Sequence, residues 1–341
     1  MTHSSRIVIV AALLLQLTGC SDDGQQPLDG GGLPDFGPGH DVAGLDHGGV
    51  KDWGGTIDAG PGDKGLTGDK GHSDAPVGPK PPKTAWVAQG SGTKWDSGKA
   101  VAVDKAGTVI VAGTYGPSIT FAGKPALSGG AIFVVKLDPA GKVLWARSGG
   151  GPNSDTCTGV SVDSAGNIYI TGTAVGASSF GTHTIPGSGY THTTFVAKLS
   201  PAGQYLWAKG ATSTKNNNGA SISTDSAGNS YVVGKFIANV SFGGKTLSNS
   251  QIVDPELFVT KISPAGAFIW AAKGSGTVSE ATDVVVDSGG GARVTGEFDW
   301  PMTLGATSLP APGESNVFTA KINSSGAFVW ATSAGGSGKL H

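Results

Sequence analysis

Beyond residue 84, apolar and polar positions alternate with a period of two, and the alternation returns four times in nearly the same letters. VSVDSAGNIYITGT, from Val160 to Thr173, has close copies in VAVDKAGTVIVAGT from Val101, ISTDSAGNSYVVGK from Ile222 and VVVDSGGGARVTGE from Val284. Val160 and Val162 alternate with polar neighbours, and Ile168 and Ile170 do so again after the turn, which predicts two short strands. Between them DSAGN carries the chemistry of a type I turn followed by a left-handed residue. Asp163 can accept from the turn's backbone N–H groups, and Gly166 tolerates positive φ. A second hairpin is predicted in FVAKLSPAGQYLWAKG, with Pro201 at the first central turn position and Gly203 at the left-handed one. YLW, FIW and FVW each place three apolar residues in a row, so the Trp strand is expected to be buried on both faces.

The landmarks keep register through the body. Trp recurs at 86, 145, 207, 270 and 330, the turn Asp at 104, 163, 225 and 287, and a strand-ending Gly at 113, 172, 234 and 296. An F-x-x-K pair recurs at Phe133/Lys136, Phe195/Lys198, Phe258/Lys261 and Phe318/Lys321. A period of about 60 residues with roughly four short strands in each unit signals a repeat whose units bury their faces only by stacking. The predicted fold is all-β: a β-propeller-like array of four blades with antiparallel strands. The concatenated motif W-A-x-x-G, D-S-A-G-N-x-Y-x-T-G and F-V-x-K-L-x-P-x-G-x-x-x-W resembles the SBBP repeat, the β-propeller repeat of bacterial surface and secreted lipoproteins, and the resemblance covers about 84–341. The family name implies seven blades, whereas four units are present. The resemblance carries over no catalytic residue.

Five Trp strands stand against four Asp hairpins and four F-x-x-K strands, one strand over four whole blades. That count predicts an arc of a larger propeller, cut short or completed by another molecule, with self-association expected if its end faces are bare.

The N-terminal region changes the picture further. Arg6 and the apolar run from Ile7 to Leu17 are too short to span a bilayer and read as an export signal over 1–19. The run ends in LTGC, which resembles a bacterial lipobox, so Cys20 is the expected lipidation site. Lipoproteins of this kind carry three acyl chains, enough for stable anchoring, whereas one chain holds only marginally. Ser21 rather than Asp after the cysteine favours the outer membrane or cell surface. Residues 20–83 read as a disordered Gly/Asp/Pro-rich linker. From 21 onward it holds eleven Asp, no Glu and five Lys, a net charge of −6, and too little apolar surface to fold. Its Asp steps of five or six residues match neither the nonapeptide calcium roll nor the EF-hand.

The body, 84–341, has 17 basic and 14 acidic residues, so no nucleic-acid patch is expected. No P-loop, G-x-S-x-G or H-E-x-x-H spacing occurs, and neither cofactor nor metal is expected. His183 and His192 share one insertion without a third ligand nearby in sequence. Cys157 aligns with Gly98, Gly219 and Ala281, a small-residue slot, and reads as a buried hydrophobe. The recurring lysines are expected to pair with the turn Asp of their own unit. Asp96, Asp155, Asn217 and Glu280 approach the start of each unit and are the candidate polar residues of a loop face. These features describe a lipid-anchored, surface-displayed propeller that binds or scaffolds an unidentified protein or glycan. The alternatives are an extracellular glycan-active hydrolase or lyase, which needs two converging carboxylates, and a purely structural surface protein. A flat, aromatic-rich or charged loop face favours binding.

Overall fold

The computed structural model describes residues 6–11 and 86–336 except 188, 252 and 277. Cys20 and the linker lie outside the described residues. Four of the five four-stranded antiparallel sheets among the described residues are meanders that follow one another along the chain. Blade 1 comprises Ser97–Val103, Val109–Thr114, Ile132–Leu137 and Val143–Gly149. Blade 2 comprises Thr156–Val162, Ile168–Val175, His192–Leu199 and Tyr205–Gly210. Blade 3 comprises Asn217–Thr224, Ser230–Phe236, Glu256–Ile262 and Phe268–Lys273, and blade 4 Ser279–Val286, Ala292–Phe298, Asn316–Ile322 and Phe328–Gly335. First strands pack on first strands from blade to blade. The fold is an all-β propeller-like array, as the repeat predicts.

Each DSAGN-type turn forms as its chemistry dictates. Asp163 Oδ1 accepts from the N–H groups of Ala165 and Asn167, both at 2.9 Å, and Gly166 sits at φ +78°. Just after the turn the second strand is rich in β-branched residues, which suit a pleated surface pressed on both sides. The second and third strands of blades 1 and 2 are buried almost without a break. Phe133, Phe195, Phe258 and Phe318 are core residues.

The Trp strand departs from expectation. Its middle residue, Leu144, Leu206, Ile269 or Val329, is exposed in every blade. The reason is a β-bulge. In blade 1 Lys136 faces Trp145 and Leu137 faces Val143, which leaves Leu144 as the extra residue, and the same slip recurs in the other three blades. Three apolar residues in a row therefore mark a bulged outer strand, and in blades 1 to 3 it is the second and third strands that are covered on both faces, whereas those of blade 4 alternate.

A second bulge in each first strand accounts for the small-residue slot. Gly98, Cys157, Gly219 and Ala281 pair with Gly113, Gly172, Gly234 and Gly296 immediately beside it. A Cβ on those four second-strand glycines would fall 1.9–2.1 Å from a first-strand carbonyl oxygen, so only glycine permits the approach. Cys157 is fully buried, and burial pushes its thiol up to about 12.

Successive blades are joined by a repeated latch. Trp86, Trp145 and Trp207 donate Nε1–H to the carbonyls of Pro139, Pro201 and Pro264 in the next blade, and Trp270 donates to that of Ser324, over 2.9–3.1 Å. The turn glycine two residues further on, Gly141, Gly203, Gly266 or Gly326, lies against the indole with positive φ. The segment following the Trp145, Trp207 and Trp270 strands also pairs with a short hairpin of the next blade, as in Thr212–Ser213 with Val240–Ser241. Trp86–Gly92 therefore occupies the position of a fourth strand ahead of blade 1. Arg6–Ala11 pairs with its other edge, from Arg6 opposite Ser91 to Ala11 opposite Trp86. Within the chain, Pro139 is already taken by Trp86. Trp330 is 39% exposed, and Val285 and Val317 beside it on the last sheet are exposed too, as are Val101 and Val103 on the first.

Candidate functional site

In such a meander the two tight turns of each blade lie at one end. The crossings between blades and the connections from second to third strand lie at the other, the loop end. The four sequence candidates all sit toward the loop end, but most serve the scaffold. Asp155 is fully buried and accepts from Gly151 N–H at 2.7 Å, Val175 N–H at 2.7 Å and Ser178 Oγ–H at 2.6 Å. Its carboxylate ties the crossing into blade 2 to the end of the second strand. Asn217, also fully buried, accepts from Thr194 N–H at 2.7 Å and donates to His192 O, which ties blade 3 to blade 2. Both side chains are without solvent access and serve as internal ties. Glu280 pairs with Lys235 of blade 3 at 2.6 Å, half-exposed.

Asp96 is the counterpart of Asp155 in blade 1 and is less well held. Gly116 N–H reaches its Oδ1 at 3.2 Å, and the hydroxyl that Ser178 supplies in blade 2 is replaced by Ile119. Its Oδ2 is buried without a hydrogen-bond partner, and burial raises its pKa against the lowering effect of the Gly116 N–H.

The recurring lysines divide. Lys136 pairs with Asp104 at 3.4 Å and Lys321 with Asp287 at 3.6 Å, as expected. Lys198 and Lys261 instead lie over the rings of Tyr169 and Tyr231, with Nζ 4.9 and 4.8 Å from the centroids, and Lys198 donates to Pro264 O. In blades 2 and 3 a Tyr fills the position held by Ile110 in blade 1 and Arg293 in blade 4, and its ring takes the ammonium. His183 faces the carbonyl of Tyr205 and His192 the amide of Asn218, so the two have separate partners.

Three large aromatic side chains stand out from the loop end: Trp95 at 53% exposure, Tyr190 at 82% and Trp300 at 62%. Trp95 lies in the crossing into blade 1, Tyr190 in the connection before the third strand of blade 2, and Trp300 just after the second strand of blade 4. Sequence reasoning passed over them, although a signal was present: Trp95 and Trp300 are the two body tryptophans outside the repeat register. An open recess of about 400 Å³ lies beside Trp95, walled by Pro117, Pro152 and Asn153. Glu280 and Glu297 face each other across the first two strands of blade 4. The recess they share with Lys235 and Asp299 holds only about 160 Å³, below the roughly 300–1,000 Å³ of small-ligand sites.

Residues 145–178, from the Trp strand of blade 1 to the hairpin of blade 2, match the family model described as SBBP, a β-propeller repeat. The repeat is of the SBBP type. Among solved structures, a protein of unknown function from Bacteroides caccae is 14% identical with a TM-score of 0.36, over 74% of this chain and 86% of that one. Virginiamycin B lyase from Staphylococcus aureus is 9% identical with a TM-score of 0.30, over 68% and 82%. No curated protein matches the chain. The SBBP repeat is a propeller unit, and the four sheets are its blades.

Proposed function

We propose that the chain is a lipid-anchored, surface-displayed propeller that works as a binding or scaffolding module and meets its ligand at the loop end. One observation carries this reading: Trp95, Tyr190 and Trp300 project there into solvent, while Asp155 and Glu280 are spent on internal ties. Exposed aromatic residues on rigid scaffolds are typical binding anchors, because they bring large contact area at low entropic cost. A hydrolase would need two carboxylates around a substrate-sized space, and the Glu280–Glu297 recess is too small. Anchoring through Cys20 is supported by LTGC at the end of a signal-sized apolar run. The test is to probe glycan and protein arrays with the purified full chain in detergent and with a Trp95→Ala/Tyr190→Ala/Trp300→Ala variant. Binding that disappears in the variant at an unchanged melting temperature is expected. Binding that survives intact, or turnover of the arrayed glycan, would overturn the reading.

A further inference from the structure

Of the loop-end recesses, the one beside Trp95 combines an exposed indole, a space large enough for a small ligand and a single charge. Its lining holds one charged side chain, the ammonium of Lys94. Asp96, next in sequence to Trp95, is turned inward to Gly116 N–H and does not line the recess. The remaining polar groups there include Ser154 and Asn153, whose Nδ2 donates to Val175 O and fixes the amide in place. The other aromatic residue of the lining, Tyr115, is buried, with its hydroxyl 2.6 Å from Ser148 Oγ. One ring face is therefore on offer. A groove for an extended proline-rich peptide is lined by several aromatic side chains, whereas a single indole matches one flat apolar face of a sugar ring. An ammonium with no ion-pair partner among the described residues, set beside that indole ring, favours an anion.

We propose that the recess between Lys94, Trp95 and Asn153 binds a carboxylated sugar residue of an acidic glycan, the ring stacked on Trp95 and its carboxylate paired with Lys94. This rests on the loop-end binding reading and narrows it to one recess and one ligand class. No bond is made or broken. The lining also includes Pro117 and Pro152, whose rings fix their own φ and limit backbone freedom there.

The experiment is calorimetric titration of the full chain in detergent with oligogalacturonate, and with the same oligomer after methyl esterification has removed its charge. Oligogalacturonate should bind, and Trp95→Ala should weaken it by about tenfold or more, as for an aromatic anchor. Lys94→Gln should weaken the acidic oligomer several-fold and bring it level with the ester, whose own binding stays unchanged. Because both side chains are exposed, melting temperatures should match the parent. Equal affinity for acid and ester in the parent chain overturns the assignment, as does acidic binding indifferent to Trp95→Ala, or displacement of the oligomer from Trp95 by a proline-rich peptide. If array ligands bind and are lost on changing Tyr190 or Trp300 but not Trp95, this inference falls and the binding-module reading stands. If no ligand binds at all, both fall.

Discussion

Replacing Gly203 by alanine tests the latch between blades directly. Gly203 adopts φ +80°, and a Cβ there would lie 2.9 Å from Cδ2 and 3.0 Å from Cε2 of Trp145. Two separable costs follow. A left-handed alanine costs roughly 1–2 kcal/mol, and forcing an indole out of a packed site adds about 1–3 kcal/mol of the kind measured for overpacking. Shifting the ring also strains the Trp145 Nε1–H bond to Pro201 O, 3.1 Å long in the parent. Gly123 supplies the control. It sits at φ +69° with nothing within 4 Å of a Cβ, so Gly123→Ala pays the conformational cost alone. The smaller entropy of the unfolded alanine chain offsets both substitutions by the same ~0.4–1 kcal/mol and cancels in the difference. Urea unfolding followed by tryptophan fluorescence should show Gly203→Ala destabilising by about 1–3 kcal/mol more than Gly123→Ala. In a Trp145→Ala background that excess should vanish, because the alanine methyl then has nothing to displace. Equal costs for the two glycines in the parent, or an excess that persists without the indole, would refute the latch.

Other outcomes follow from the same geometry. Trp207→Ala, at a buried latch, should lower the melting temperature through a loss of roughly 3–5 kcal/mol, whereas Trp330→Ala, half-exposed on the last sheet, should lower it much less; equal effects would contradict the assignment. Burial tends to raise the pKa of Asp163, but hydrogen bonds from Asn167, Tyr169 and Ala165 N–H outweigh it and leave the group below its ordinary value. The stability this contributes is present above the unfolded carboxylate's pKa of about 3.9 and lost as pH falls through the lower folded value. The melting temperature should therefore drop below about pH 4, and less steeply in Asp163→Asn. Cys157, buried with its thiol near 12, should ignore a thiol reagent at pH 8 until urea unfolds the body. Cys20→Ala should leave unprocessed precursor and abolish incorporation of labelled fatty acid; continued labelling would count against lipid anchoring.

Much of the architecture was legible because it repeats. The Asp and Gly of each turn have one chemistry that fits, and the period of Trp and Phe counts the blades. Bulges were not legible, since a one-residue slip changes which face a side chain takes without changing the residues themselves. Hence Leu144 and its counterparts read as buried and are exposed. The candidate site fared worse. Asp155 and Asn217 looked like loop polar residues because a strand end and a buried turn share the same composition. Their partners, Val175 and Thr194, lie about twenty residues away, a separation that periodicity does not encode. Trp95 and Trp300 could have been found by asking which tryptophans break the register.

The joint between neighbouring blades always takes an indole from one unit and a glycine-bearing turn from the next, in the same geometry. The indole–glycine part of the joint is thus interchangeable, whereas the side-chain ties beside it, Asn217 to Thr194 and Lys235 to Glu280, belong to particular neighbours. Gain or loss of a whole unit would therefore preserve the indole latch and require compensation only at those unit-specific ties. The loop end stands apart from that constraint, because Trp95, Tyr190 and Trp300 take no part in the latch. A lineage could lengthen or shorten the array and change what its loops hold as two independent events.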